Sequence, residues 1–258
     1  MSTVIYPSPI FGPIQSRRLG VSLGINLLPS DGKMCSFDCI YCECGFNGDH
    51  RPKTKLPAQE EVLGKLEEKL KDMQANGPKP DVLTFAGNGE PTLHPHFPEI
   101  VEGVKSLRDK YFPDAKISVL SNATRINVEA VRKALLSVDN PILKLDTVSP
   151  DYINFVDCPT GHYDVQEQLH WLKEMGKDII IQTLFMKGEH EGKDAGNITP
   201  QFVDPWLKAI CEINPRQVMI YTIDRETPSP LLQKASHKEL DGIALQVKNL
   251  GIEVSVSY

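Results

Sequence analysis

Strand-like apolar runs alternate with helix-like amphipathic segments along almost the whole chain, and this alternation constrains the fold more than any other feature. "GVSLGINLLP" (20–29) reads as a strand, and "EEVLGKLEEKLKDMQANG" (60–77) as a helix that stops at a glycine. "DVLTFAG" (81–87) precedes the helical "FPEIVEGVKSLRDKY" (97–111). "KISVLSNA" (116–123) precedes "NVEAVRKALLSV" (127–138), with Asn127 as the expected N-cap. "PILKLDTV" leads to a helix over 163–175, "DIIIQTLFM" (178–186) to one over 201–213, and "RQVMIYTI" to one near 237–249. "IEVSVSY" adds a closing strand.

Six strand–helix pairs and a last strand imply βαβ units around a parallel sheet. They are too few for an eight-stranded barrel and fit an open or partial barrel, or a doubly wound sheet. Either architecture places catalytic residues on loops at the carboxyl ends of the strands. The chemically informative residues fall there: a cysteine cluster after the first strand, "GNGEP" after the second, "SNAT" after the third and "DTVSP" after the fourth. No repeat, low-complexity tract or linker interrupts residues 1–258, so a single domain is expected.

With 28 basic and 34 acidic residues the formal charge is −6, and the signs are interspersed. That balance argues against a basic stripe of the kind nucleic-acid binding leaves. "MSTVIYPSPIFGPIQ" lacks the charged and continuous apolar regions of a signal peptide, and no apolar run approaches the length of a membrane span. A cytoplasmic location without membrane contact is expected, where thiols stay reduced. Clustered cysteines then point to a metal or catalytic site rather than to disulfides.

Four of six cysteines lie in "MCSFDCIYCECG" (34–45). Cys35, Cys39 and Cys42 follow the pattern C-x3-C-x2-C, a short loop that aims three thiolates inward from one side. Three such ligands suit a cubane iron–sulfur cluster with one iron left unligated by protein. Zinc held by all four clustered cysteines is the other reading that spacing leaves open, although a second C-x2-C knuckle is missing.

"CSFDCIYC", with the aromatic Tyr41 before its third cysteine, resembles the motif of the radical S-adenosylmethionine (SAM) superfamily. The strand–helix order is similar to that family's barrel over nearly the whole chain. "PIQSRRLGVSLGINLLP", "CSFDCIYC" and "GNGEPTLHP" together look most like a subgroup of iron–sulfur oxidoreductases related to tRNA wyosine synthases. The resemblance implies an α/β fold, a partial TIM-like (β/α)6 barrel of parallel strands with outer helices. It implies a [4Fe–4S] cluster on Cys35, Cys39 and Cys42, whose open iron chelates SAM as cosubstrate. Reduction of the cluster, by an external donor of flavodoxin or ferredoxin type, then cleaves SAM to methionine and a 5′-deoxyadenosyl radical that abstracts hydrogen from substrate. The cofactors carry that chemistry, while protein binds, orients and excludes water.

By the same resemblance "GNGEP" matches a glycine–glycine–glutamate motif, with Gly87, Asn88, Gly89 and Glu90 reading G-N-G-E. Glycines let backbone approach the methionine ammonium of SAM, and the Glu90 carboxylate would form a charge-assisted hydrogen bond to it. An ordinary strand-end turn has the same composition. Ser121 and Asn122 of "SNAT" are expected at the methionine carboxylate or ribose, with Ala123 departing from the glycine of relatives. Asp146 is expected at the ribose hydroxyls and Lys144 at the methionine carboxylate, against the alternative of a strand-end salt bridge. Arg17 and Arg18 precede the first strand, one within reach of the barrel mouth and the other at the surface. His94 and His96 are expected to pack locally, Cys158 and Cys211 to be buried inert thiols, and His162 and Tyr163 to be candidate substrate contacts.

The function expected from these residues is hydrogen abstraction from an unidentified substrate: a tRNA nucleoside, a glycyl-radical partner protein or a small metabolite. A non-catalytic iron–sulfur, zinc-binding or electron-transfer protein is the alternative. Cys44 is expected not to be a ligand, since a fourth protein thiolate would close the iron that SAM must reach.

Overall fold

The computed structural model describes residues 4–16, 19–49 and 51–258; Arg17 and Arg18 lie outside the described residues. The leading hairpin joins β1 (Ile10–Ser16) to β2 (Gly20–Ile25). There follow α1 (Gln59–Asn76), β3 (Val82–Phe85), α2 (Phe97–Tyr111), β4 (Lys116–Ser121), α3 (Glu129–Leu136) and β5 (Asn140–Lys144). The second half contains α4 (Pro150–Tyr152), α5 (Val165–Met175), β6 (Ile180–Leu184), β7 (Met186–His190), β8 (Lys193–Asp194) and α6 (Pro200–Ile213). It closes with β9 (Gln217–Tyr221), β10 (Leu232–Lys234), α7 (His237–Asn249) and β11 (Glu253–Ser257).

One sheet runs in the order β1-β2-β3-β4-β5-β6-β9-β11, and from β2 onward every pairing is parallel. Spatial order thus follows chain order, so each helix carries the chain one strand further in the same direction. The sheet curls into a half-barrel with helices outside. The helices form because their apolar residues recur at helical spacing: Val62, Leu66, Leu70 and Met73 line one face of α1, and Phe97, Ile100, Val101 and Val104 one face of α2. These stripes pack against the outward side chains of the strands, such as Leu23, Ile25, Leu83, Phe85, Ile117 and Val119, in one continuous core.

The inward face of the half-barrel is more polar. Ser22 hydrogen-bonds Thr84 at 2.8 Å, and Asn140 donates to Ser118 at 3.1 Å. Ile142, Ile180 and Met219 pack with Leu19 and Leu120 across this face. At one edge Phe11 of β1 lies on Gly24, where an added Cβ would approach the ring to 2.2 Å. Phe11 also stacks on Tyr6 at 4.6 Å between centroids.

Three local expectations are corrected. Asn127 does not cap α3, which starts at Glu129 behind Val128 with no side-chain cap. Arg132 reaches back to the carbonyls of Ile126 (2.7 Å) and Asn127 (3.4 Å) instead, and the Asn127 amide turns toward Glu167. The first parallel strand ends at Ile25 rather than 29, because Asn26 leaves the ladder to donate to the carbonyls of Tyr6 and Pro7. Cys211 is exposed, on the side of α6 opposite Val203, Trp206, Ile210 and Ile213. A three-stranded sheet, β10-β7-β8, lies beyond the sequence reading.

Candidate active site

The loop after β2 carries the cysteines and is locked to the loop after β3. Met34 N–H donates to the Asn88 carbonyl (2.8 Å) and Glu90 N–H to the Met34 carbonyl (3.1 Å). Gly89 makes this approach possible. Its φ is +131°, and a Cβ there would sit 1.8 Å from the Met34 carbonyl oxygen. The loop is also stapled from within. Asn47 donates its amide to the carbonyls of Cys35 (3.3 Å) and Phe37 (3.1 Å), and Asp38 accepts from Asn47 N–H (2.7 Å).

Lys33, two residues before the first cysteine, is buried with 2% of its surface exposed. Its ammonium donates to the Gly45 carbonyl (2.7 Å) and to Asp38 (3.3 Å). Burial disfavours its charge, but the thiols of Cys42, Cys35 and Cys39 and the Asp38 carboxylate outweigh that and raise its pKa. Cys42 is the most readily ionised thiol, lowered to about 6, chiefly by its hydrogen bond with Cys44 and against the cost of burial. Burial, aided by the Glu90 charge, pushes Cys35 up to about 12. Cys44 also points its thiol at the Gly87 carbonyl, 3.6 Å away.

Glu90 is buried and accepts hydrogen bonds within the protein. Oε1 takes Thr92 N–H (3.0 Å), Thr92 Oγ1 (2.5 Å) and Ser121 Oγ (2.9 Å), and Oε2 takes Asn122 N–H (2.6 Å). Burial raises its pKa and these bonds oppose the rise. The carboxylate therefore ties the ends of β3 and β4 together. Asn122 in turn donates to Ser36 Oγ (2.9 Å) and Cys35 Sγ (3.5 Å), so the third loop touches the cysteine loop directly. Ala123 takes the left-handed conformation, φ +63°, that the missing glycine would have supplied, and its N–H bonds Ser121 Oγ (3.0 Å). The strain of about 1–2 kcal/mol is offset in part by burying its methyl, worth about 0.8 kcal/mol. Asn88 is wholly engaged elsewhere: its amide binds the carbonyls of Tyr6 (2.9 Å) and Pro29 (2.8 Å) and accepts Tyr6 N–H (2.8 Å).

Tyr41, Lys144 and Asp146 meet in a second cluster, together with Asp157, which the sequence reading missed. Lys144 donates to Asp157 (2.7 Å), to Tyr41 Oη (2.5 Å) and to Asp146; Tyr41 also donates to Asp146, whose other oxygen accepts Leu184 N–H (2.9 Å). The strand-end salt bridge is thus present. Burial opposes the Lys144 charge, yet Asp146 and Asp157 raise its pKa well above the ordinary value. Asp157 is raised to about 6 by burial against the pull of Lys144, and its charge acts on the Cys39 thiol. It sits in a π-helical turn, Ile153–Asp157, whose carbonyls also hold the cysteine loop: Ile40 N–H donates to Val156 (3.0 Å) and Asp38 N–H to Asp157 (3.0 Å). No spacing in the sequence signals that turn.

A cavity of about 410 Å³ fills the inward face of the half-barrel. Tyr41, Cys42 and Cys44 border it on the cysteine loop, Gly87 and Gly89 on the next loop, and Gln182, Tyr221 and Arg225 on the far side. Arg225 donates to Tyr6 Oη (2.9 Å) and Glu43 (2.7 Å), joining the far side to the cysteine loop. The expected residues Gly87, Gly89 and Tyr41 face this cavity, whereas Asn88, Glu90, Ser121, Asn122, Lys144 and Asp146 are not in its lining. His94 binds the Pro57 carbonyl (2.9 Å) and stays 6.1 Å from the His96 ring, a local packing role. Tyr163 packs edge-on against Phe37 of the cysteine loop (5.2 Å).

The donor set fits an iron–sulfur cluster. Four soft thiols lie on one loop, near enough to act on one another and beside the Lys33 ammonium. Among the described residues no group of three or more His, Cys, Asp or Glu side chains is disposed to hold a single metal ion.

Residues 30–194 match the family model of the Radical SAM superfamily, and the chain belongs to that superfamily. Curated relatives include a protein named "GTPase Obg" of Brachyspira hyodysenteriae, 27% identical over 96% of this chain but 35% of that one. A "UPF0026 protein" of Helicobacter pylori is 30% identical over 85% of this chain and 67% of its own length. Among solved structures, Streptococcus suis SuiB bound to S-adenosylmethionine superposes with a TM-score of 0.62 at 13% identity, covering 90% of this chain and 50% of that one. Archaeal TYW1 gives 0.50 at 15% identity, over 88% of this chain and 71% of that one. These likenesses show the fold. The chain spans about a third of the first of these relatives and half of SuiB.

Proposed function

We propose that the chain is a radical SAM oxidoreductase in which Cys35, Cys39 and Cys42 hold a [4Fe–4S] cluster and SAM occupies the adjoining cavity. The observation that carries this reading is the interlock of the cysteine loop with "GNGE" through Met34 and Gly89, which sets Cys42 beside the bare backbone of Gly87 and Gly89 on one cavity. Bound there, the cluster supplies the electron for reductive cleavage of the SAM C–S bond, giving methionine and an adenosyl radical that takes hydrogen from substrate. Gly87 and Gly89 offer backbone to the methionine ammonium, and Tyr41 offers its ring along the same cavity. Glu90, Ser121 and Asn122 hold that loop against Cys35. Lys144 and Asp146 fix the Tyr41 hydroxyl, and removing one partner from a buried pair of this kind costs about 3–5 kcal/mol.

A substrate must present its reacting carbon inside the cavity that also takes SAM. That favours a small metabolite, or a single side chain or base of a larger partner. The SuiB structures, one of them with a precursor peptide, supply a precedent for a peptide, and TYW1 one for a tRNA nucleoside by the wyosine resemblance. Reconstituted with iron and sulfide and reduced by dithionite, the protein is expected to convert SAM slowly to methionine and 5′-deoxyadenosine without substrate. An intact, reducible cluster with no deoxyadenosine formed would sink the enzyme reading in favour of an electron carrier.

A further inference from the structure

Lys33 is a buried ammonium at the base of the cysteine loop, and it donates to the Gly45 carbonyl (2.7 Å) and the Asp38 carboxylate (3.3 Å). Two of its three donors are committed in this way. Its acceptor Gly45 closes a turn with Cys42, the Gly45 N–H donating to the Cys42 carbonyl (2.9 Å), which brings the ammonium to the Cys42 end of the loop. The opposing carboxylate is shared, because Asp38 also accepts Asn47 N–H, and it keeps 27% of its side chain in solvent. Lys144, the other cation near the thiols, is cancelled by two buried carboxylates, Asp146 and Asp157. Lys33 is therefore a cation beside the thiols whose opposing carboxylate is partly screened by solvent.

We infer that Lys33 is a positioning residue that sets the ease of reduction of the iron–sulfur cluster, by holding a fixed positive charge against Cys42 on the wall of the loop. The inference rests on Cys35, Cys39 and Cys42 being the ligands. Each reduction adds one electron and leaves the buried site one unit more negative. A cation fixed in low dielectric stabilises that state more than the oxidised one, and hydrogen bonds to ligand sulfur act in the same direction. Loss of the charge must then lower the potential.

The test compares wild type, Lys33→Met, which keeps the apolar stem, and Lys33→Arg, which keeps the charge. Iron and sulfide content and the midpoint potential are read by EPR-monitored titration without SAM. Lys33→Met is expected to hold the cluster while its equilibrium constant for one-electron reduction falls at least about tenfold, a midpoint lower by ~59 mV. Lys33→Arg is expected to stay close to wild type. If Lys33→Met loses the cluster, Lys33→Gln, which keeps a donor without the charge, takes its place, and a loaded Lys33→Gln with the wild-type midpoint overturns the inference. A fully loaded Lys33→Met with an unchanged midpoint overturns it. Loss of the cluster in both variants also overturns it, since only the staple to Gly45 would then matter. A wild-type protein that binds no cluster refutes the ligand assignment itself, an outcome distinct from all of these.

Discussion

Cys44 differs from its three neighbours in what it touches. Its thiol faces the Gly87 carbonyl, so it ties the cysteine loop to the second loop. Single alanine replacements of Cys35, Cys39 or Cys42 are expected to abolish most iron binding and all SAM cleavage. Cys44→Ala is expected to retain about wild-type iron and measurable cleavage. Iron analysis with a deoxyadenosine assay on the four variants checks this, and equal loss in all four would mean a closed site. Spacing made the C-x3-C-x2-C triplet legible as a candidate ligand set, because such a set is a local pattern. Lys33 and Asp157 were not legible. Lys33 looks like any lysine in a loop, and Asp157 reaches Cys39 only because the turn after β5 folds back over a loop more than a hundred residues earlier.

At the scale of elements, the six strand–helix pairs were readable because the helices show a helical period of buried residues and the inner strands short, nearly continuous apolar runs. The β1 hairpin and the β10-β7-β8 sheet were not. "IFGPIQS" contains glycine and proline, which mask a strand, and it pairs only as an edge, with an irregular register between Phe11 and Ile14. β10 finds β7 across some forty residues of intervening chain, a pairing no local window reports. Two glycines separate local propensity from packing between elements. Gly64 is exposed on α1 and a Cβ there meets nothing, so Gly64→Ala should stabilise by about 0.5–1 kcal/mol. Gly89→Ala must displace the Met34 carbonyl, which overpacking makes worth about 1–3 kcal/mol of destabilisation or more. It should also lower iron incorporation. Urea midpoints and iron content measure both; a Gly89→Ala protein as stable and as well loaded as wild type would remove the interlock from the argument.

On the scale of the whole molecule, no helix among the described residues is long and apolar enough to cross a membrane, and the cavity is bounded by residues from both halves of the chain. A ligand in that cavity contacts β2, β3, β6 and β9 together, so it should stabilise the folded state as a unit. SAM at a hundred times its dissociation constant is worth about 2.7 kcal/mol. For a chain of this size that is a rise in Tm of roughly 5–10 °C. Thermal unfolding of the reconstituted protein, with and without SAM, measures it. Absence of any shift at saturating SAM would place the cosubstrate elsewhere.

The reach of Asp157 and Arg225 back to residues 39 and 43 has a consequence in time as well as in space. During synthesis the thiols emerge more than a hundred residues before the turn that covers Cys39. At about 5–20 residues per second, that is on the order of 5–20 s. The carboxylate beside Lys144 and the arginine over Glu43 come later than the cysteines they enclose. For that interval the thiols lack the cover that residues 153–157 later give the loop, and any metal or oxidant that reaches them meets an open loop.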